Sequence, residues 1–183
     1  MPNLPSKPGP VLTALARSAI TQALNQTASP PPHADWLDQR GASFVTLALN
    51  DRLRGCIGTL EAHRSLGRDV HHNALAAAFQ DPRFTPLSAA ELPKTHIEVS
   101  VLAEPQPMTF TSQQDALDQL RPGTDGLILQ SGRHRATFLP QVWEQLPEPA
   151  EFVTHLKRKA GLPAGHWDGV KLWRYEVQAF HEA

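Results

Sequence analysis

The sequence predicts an α+β fold, a mixed and largely antiparallel sheet with flanking helices. Three observations lead there. The elements run helix, hairpin, helix, strand, helix, hairpin, helices, strand, without the regular strand–helix alternation of a parallel α/β protein. Two segments, 43–60 and 127–139, read as hairpins, which pair antiparallel. Apolar residues switch along the chain between helical and period-2 spacing.

Residues 1–8 are proline-rich, and 1–9 are expected to form a flexible tail ahead of a single domain at 10–183. From Pro10 to Gln26, Leu12, Leu15, Ala16, Ala19, Ile20 and Ala23 recur at helical spacing. Three consecutive prolines at 30–32 end that helix. "SFVTLAL" (43–49) is rich in β-branched and aromatic residues, Asn50-Asp51-Arg52 turns, and "LRGCIGTL" returns. Strand geometry places Leu53, Gly55, Ile57 and Thr59 on one face, with Leu53 and Ile57 leaning inward. Arg54, Cys56, Gly58 and Leu60 take the other.

Ser65 is positioned to cap a helix reaching about Gln80, and "DPRFTPL" breaks it with two prolines. Ser88 to Glu91 has the spacing of a capping box. "THIEVSVL" alternates His96, Glu98 and Ser100 against Ile97, Val99 and Val101, a strand with one wet face. A short helix is expected at about 112–120, and the second hairpin runs from "LILQ" through "SGRH" to "RATFL". Pro140 opens a helix where its missing N–H costs nothing. "PAEFVTHLKRKAG" is a helix with basic residues in its last turns and Gly161 as its cap. "GVKLWRYEVQAF" reads as one final strand.

With 183 residues the chain is long enough for one well-buried core. A formal net charge of −1 provides no global field toward nucleic acid or an anionic membrane, so neither is an expected partner. One cysteine cannot form an internal disulfide. The apolar N-terminal stretch is broken by Arg17 and is too short for a signal peptide. No run approaches the roughly 18 apolar residues that span a bilayer. The expectation is therefore a cytoplasmic, soluble protein.

Cys56, the only cysteine, sits between Gly55 and Gly58 with Arg54 beside it. A reactive thiolate needs a lowered pKa and access, and Arg54 and Arg83 are the candidate cations. Gly55 and Gly58 would let a planar or anionic ligand approach the backbone. The other reading is that Cys56 fills a small apolar hole and the glycines mark a bulge or tight packing. Asp81 and Arg83 flank Pro82, either as a rigid loop presenting a guanidinium or as a self-satisfied turn. His71 and His72 diverge by about 100° on a helix, and His63, His134, His155, His166 and His181 show no metal-ligand spacing. No metal and no cofactor is expected. "GRHR" and "HLKRKAG" are the only basic concentrations, and no phosphate-loop or dinucleotide fingerprint is present.

"LRGCIGTLE", "FQDPRFTPLSAAEL", "IEVSVLAEP", "DGLIL", "RATFLPQVWEQ" and "LKRKAGL" together resemble, in order, the AMMECR domain family. Its bacterial and archaeal members are called protein A of the AmmeMemoRadiSam system. The resemblance covers about residues 10–180. It implies a large lobe plus a smaller lobe, with the "RGCIG" segment lining the groove between them. The family signature falls on Leu53, Arg54, Gly55, Cys56, Ile57 and Gly58, on Asp81, Pro82, Arg83 and Phe84, and on Gly126, Thr137, Leu139 and Pro140. Where the family usually has a histidine before the glycine of "GI", this chain has Asp125, with Leu127 for the isoleucine. A neutral-base or metal-ligand role of that histidine does not carry over.

Two functions follow. The first is a ligand-binding, thiol-dependent enzyme acting on a small polar or nucleotide-like substrate, with Cys56 catalytic. Arg54, Gly55, Ile57, Gly58, Asp81, Arg83, Asp125 and Thr137 would bind the substrate. The second is a non-catalytic adaptor docking the Memo-like or radical-SAM protein that the resemblance implies as partners.

Overall fold

The computed structural model describes residues 2–183. The chain divides into two compact units. The first runs to Leu102 and adds Gln178–Ala183, and the second is Ala103–Val177.

In the first unit, α1 (Gly9–Ala23) and α2 (Leu66–Phe79) pack on a four-stranded sheet. Its strands are β1 (Ala42–Leu49), β2 (Arg52–Gly58), β3 (Thr95–Leu102) and β8 (Val177–His181), in the order β2-β1-β3-β8. The core is what the two periodicities dictate. Leu12, Ala16 and Ile20 of α1 and Val70, Ala74 and Ala77 of α2 meet Val45 and Leu47 of β1 and Ile97, Val99 and Val101 of β3. The β1–β2 turn is Asn50-Asp51, with φ of 52° and 59°. A two-residue hairpin loop needs that left-handed pair, and Asn and Asp tolerate it best after glycine.

Three expectations change here. Residues 2–8 are not a loose tail: Pro2 and Pro8 are buried, and the Asn3 N–H donates to Gln39 Oε1 at 2.7 Å. The Met1 end of that expected tail lies outside the described residues. β2 carries a bulge, since Leu47 opposes Gly55 while Ala48 opposes Leu53, leaving Arg54 as the extra residue. That residue resets the alternation, so Ile57 packs on the core while Leu53 is 45% exposed. Finally, Ser65 is extended at the start of α2 but makes no side-chain cap.

The second unit holds the sheet β4-β7-β5-β6, built from β4 (Gln106–Pro107), β5 (Gly126–Ser131), β6 (His134–Phe138) and β7 (Lys171–Tyr175). α3 (Gln113–Gln119) and α4 (Pro149–Lys159) accompany it. Pro140 opens a 3-10 turn, Pro140–Glu144, rather than an α-helix. Phe152, Leu156, Leu127, Leu129 and Leu172 form its core, and Trp143 stacks on Phe152 with ring centroids 3.7 Å apart. Gly161 ends α4 with φ of +84°, as its position beyond the last turn requires.

The single strand expected at 169–180 is two strands, β7 and β8, which join different sheets on either side of the exposed Glu176. Among the described residues, no helix is long and apolar enough to cross a membrane.

Candidate functional site

β2 is an edge strand, and the loop after α2 folds against it at Cys56. The Cys56 N–H donates to Asp81 Oδ2 at 3.0 Å, and the Cys56 carbonyl accepts from Arg83 Nη2 at 3.3 Å. Both main-chain groups that the edge would expose are thereby taken. Asp81 is buried, and it also accepts from the Arg83 N–H, Nε and Nη2 at 3.1, 3.0 and 2.7 Å. Chiefly the Arg83 guanidinium, helped by these N–H groups, holds the Asp81 carboxyl well below the usual carboxylate range.

Phe84 packs between two cations, with Arg83 5.4 Å and Arg54 5.9 Å from its ring centroid. Arg54 in turn is forked onto Glu91, Nε to Oε1 at 3.0 Å and Nη2 to Oε2 at 3.3 Å, while its Nη1 is buried without a hydrogen-bond partner. That pairing, with the Ser88 N–H, brings the Glu91 carboxyl down to about 2. Arg54 is therefore spent on a part-buried ion pair. Arg83 keeps a side chain 54% exposed, and its Nη1 edge carries none of these bonds.

Cys56 is half-buried, with Sγ 3.2 Å from the Thr46 hydroxyl across the strand. Burial pushes its thiol up from the ordinary value of 9.0. The Thr46 hydrogen bond and the Arg83 charge pull the other way, and the charges of Asp81 and Glu98 add to the rise. Each of the two expected cations is paired with a carboxylate, Arg54 with Glu91 and Arg83 with Asp81.

The glycines have internal causes. A Cβ at Gly55 would stand 2.1 Å from the Ala77 carbonyl oxygen, so its absence lets β2 lie against α2. A Cβ at Gly58 would stand 2.1 Å from the Phe44 ring, which covers it from the neighbouring strand. At both positions the space of the missing side chain is filled from within the fold, as the tight-packing alternative of the sequence reading has it.

Asp125 and Thr137 belong to the second unit. Asp125 is buried and accepts from the Arg121 N–H, Nε and Nη2 at 2.8, 3.1 and 2.7 Å. The Thr137 hydroxyl donates to the Leu127 carbonyl and lies 2.9 Å from the Tyr175 hydroxyl. Burial raises that phenol to about 12. The bonds of both residues run to partners within the second unit.

Sequence reasoning missed a buried network in the first unit. Asp69 Oδ2 accepts from the Ser43 N–H and hydroxyl, and its Oδ1 accepts from Thr59 and from Arg64 Nε. Asn73 donates to the Ser43 carbonyl. The available signal was Asp69 and Asn73, four apart on the apolar side of α2. Lys157, counted among the basic residues of α4, is fully buried, donating to Ala164 O at 3.0 Å and to Gln113 Oε1 at 3.3 Å. Among the described residues, no group of three His, Cys, Asp or Glu is placed to hold a metal ion.

The fold is thus an α+β protein of two units whose Arg-Gly-Cys-Ile-Gly strand is braced by an Asp-Pro-Arg-Phe loop. The AMMECR1 family model matches residues 13–180, and the chain belongs to that family. A protein of Thermofilum pendens is 36% identical over 198 residues, covering 100% of this chain and 93% of its own length. A protein of Methanothermobacter thermautotrophicus is 37% identical, covering 95% and 94%. The crystal structure of uncharacterized protein PH0010 from Pyrococcus horikoshii superposes with a TM-score of 0.83 at 31% identity, covering 95% and 91%. The names of these relatives state no activity.

Proposed function

We propose that this AMMECR1-family protein binds a small polar ligand carrying a phosphate or carboxylate, nucleotide-like in class, at the surface of the first unit around Cys56 and Arg83. It does so without a thiolate nucleophile. The observation that carries this reading is Arg83. Its guanidinium is fixed by Asp81, by the Cys56 carbonyl and by Phe84, yet it is half-exposed. A fork locked in this way loses little entropy when its free edge meets an oxyanion. Because Asp81 neutralises the charge, recognition rests on directional hydrogen bonds, and affinity depends weakly on salt. The Cys56 thiol contributes a neutral polar contact.

Titration calorimetry with AMP and with inorganic phosphate tests this. Wild type is expected to bind AMP saturably. Arg83→Lys, which keeps the charge and loses the fork, is expected to weaken binding about tenfold. Cys56→Ser is expected to bind as wild type does. Absence of binding by either probe, or equal binding by Arg83→Lys, overturns the proposal.

One observation favours the adaptor reading: Leu53, the large hydrophobic side chain most exposed among the described residues, projects from the bulge of this same strand. Co-purification with the Memo-like or radical-SAM protein, lost in Leu53→Ser and kept in Cys56→Ser, would support it. Retention in Leu53→Ser would remove it.

A further inference from the structure

The face of the first sheet turned away from its helices carries a row of polar side chains that includes Cys56. Val45 and Leu47 of β1 point into the core with α1 and α2, so Thr46 between them points the other way. Thr46 lies opposite Cys56 of β2 on one side and Glu98 of β3 on the other. Directly opposed residues share a face, so these three side chains form a line across three strands. Cys56 Sγ is 3.2 Å from the Thr46 hydroxyl, and the Glu98 charge is felt at the thiol. β8 lies next to β3 and extends the line, with His181 Nδ1 3.3 Å from Glu98 Oε2. The Ser100 hydroxyl donates to Glu98 Oε1 at 3.2 Å.

Cys56, Thr46 and Glu98 are all partly exposed, and the row has opposite characters at its two ends. At the β2 end stands Arg83, bonded to the Cys56 carbonyl and half-exposed. At the β3 end is Glu98, held between Ser100 and His181, each of its oxygens keeping a lone pair beyond these bonds. Two strand spacings, about 10 Å, separate the Cα atoms of Cys56 and Glu98. A phosphate alone on Arg83 cannot reach Glu98, so a ligand that engages both ends carries hydrogen-bond donors some way from its oxyanion. Those donors are hydroxyls rather than an ammonium, because His181 already supplies the basic group beside Glu98. One carboxylate accepts from two vicinal hydroxyls at once, the way acidic side chains hold a ribose.

We propose that Glu98 is the hydroxyl-binding residue of the Arg83 site, and that the ligand is a phosphorylated ribose whose phosphate meets Arg83 and whose 2′- and 3′-hydroxyls donate to Glu98. This inference rests on the oxyanion reading of Arg83 and names the ligand class for it. Thr46 and Cys56 line the floor between the two ends with small neutral groups, and Ser100 and His181 keep the carboxylate turned along the row.

Titration calorimetry on the full chain, with AMP and with 2′,3′-dideoxy-AMP, tests this on wild type and on Glu98→Ala. Wild type is expected to bind AMP about tenfold more tightly than the dideoxy nucleotide, as the loss of hydrogen bonds to a charged acceptor implies. Glu98→Ala is expected to bind both nucleotides alike, at the wild-type level for the dideoxy compound. The two-ligand comparison on wild type holds whatever the variant does. Saturable and equal binding of the two nucleotides by wild type overturns the Glu98 assignment and leaves the Arg83 reading standing. So does a tenfold preference that persists in Glu98→Ala. Failure of wild type to bind either nucleotide overturns both. Phosphoethanolamine binding more tightly than AMP also overturns the assignment, by making an ammonium the group that Glu98 takes.

Discussion

Replacing Gly55 by alanine separates packing from ligand access more sharply than any other change in the motif. The new Cβ would stand 2.1 Å from the Ala77 carbonyl oxygen and 3.0 Å from its carbon. Nonbonded heavy atoms settle near 3.5 Å, so β2 and α2 must part by about 1.4 Å along this contact. The obstacle is helix backbone, which cannot rotate aside as a side chain would. Overpacking of a well-filled core costs about 1–3 kcal/mol, and a backbone obstacle places Gly55→Ala near the upper end. At about 2–4 °C per kcal/mol for a chain of this length, the melting transition that carries the first unit should fall by about 6–12 °C. Differential scanning calorimetry reads this directly. A variant that melts with wild type but no longer binds AMP would refute the reasoning, because the glycine would then face the ligand. Gly58→Ala should cost less, since Phe44 is a side chain and can tilt.

Two further expectations concern pH. Glu91 titrates at about 2 in the fold against an ordinary 4.5, so its pairing with Arg54 stabilises fully above pH 4.5 and is lost as pH falls toward 2. The melting-temperature gap between wild type and Glu91→Gln should stay constant from pH 7 to about 5 and close by about pH 2; a gap independent of pH would contradict the ion pair. Burial lowers the Lys157 ammonium from 10.5, so the fold prefers it neutral, and its contribution grows as pH rises toward 10.5. Relative to Lys157→Met, wild type should gain stability on the alkaline side of neutrality, and a flat difference up to pH 10.5 would show that the group is not desolvated.

Much of this fold is visible in the residues themselves. The Asn50-Asp51 turn and the amphipathic spacing of α1 and α2 are local patterns that tertiary packing did not override, whereas the wet face expected of β3 holds at His96 and gives way at Ser100, which is buried. The "DPRF" loop enters the sequence reading only through Arg83 as a candidate cation for Cys56, and the structure sets that loop against the cysteine strand. What was not legible has a physical reason in each case. A bulge is one extra residue, and period-2 counting across Arg54 reads straight through it, so Leu53 was assigned the wrong side. Gly55 and Gly58 look alike in sequence whether a ligand or a neighbouring atom fills the missing Cβ, and only Ala77 and Phe44 in place decide it. The break at Glu176 has no glycine or proline to mark it, because the chain leaves one sheet and enters another in extended conformation. Asp69 and Asn73 read as ordinary polar helix residues until Ser43 of β1 and Thr59, just beyond β2, arrive beside them.

Alkylation of Cys56 by iodoacetamide, followed as a rate against pH on the folded protein, bears most directly on whether this strand is a braced binding surface or a nucleophile's seat. Slow modification at pH 7, with an inflection above the ordinary thiol value of 9.0, is expected. A rate already on its plateau at pH 7 would mean a stabilised thiolate and would contradict the reading.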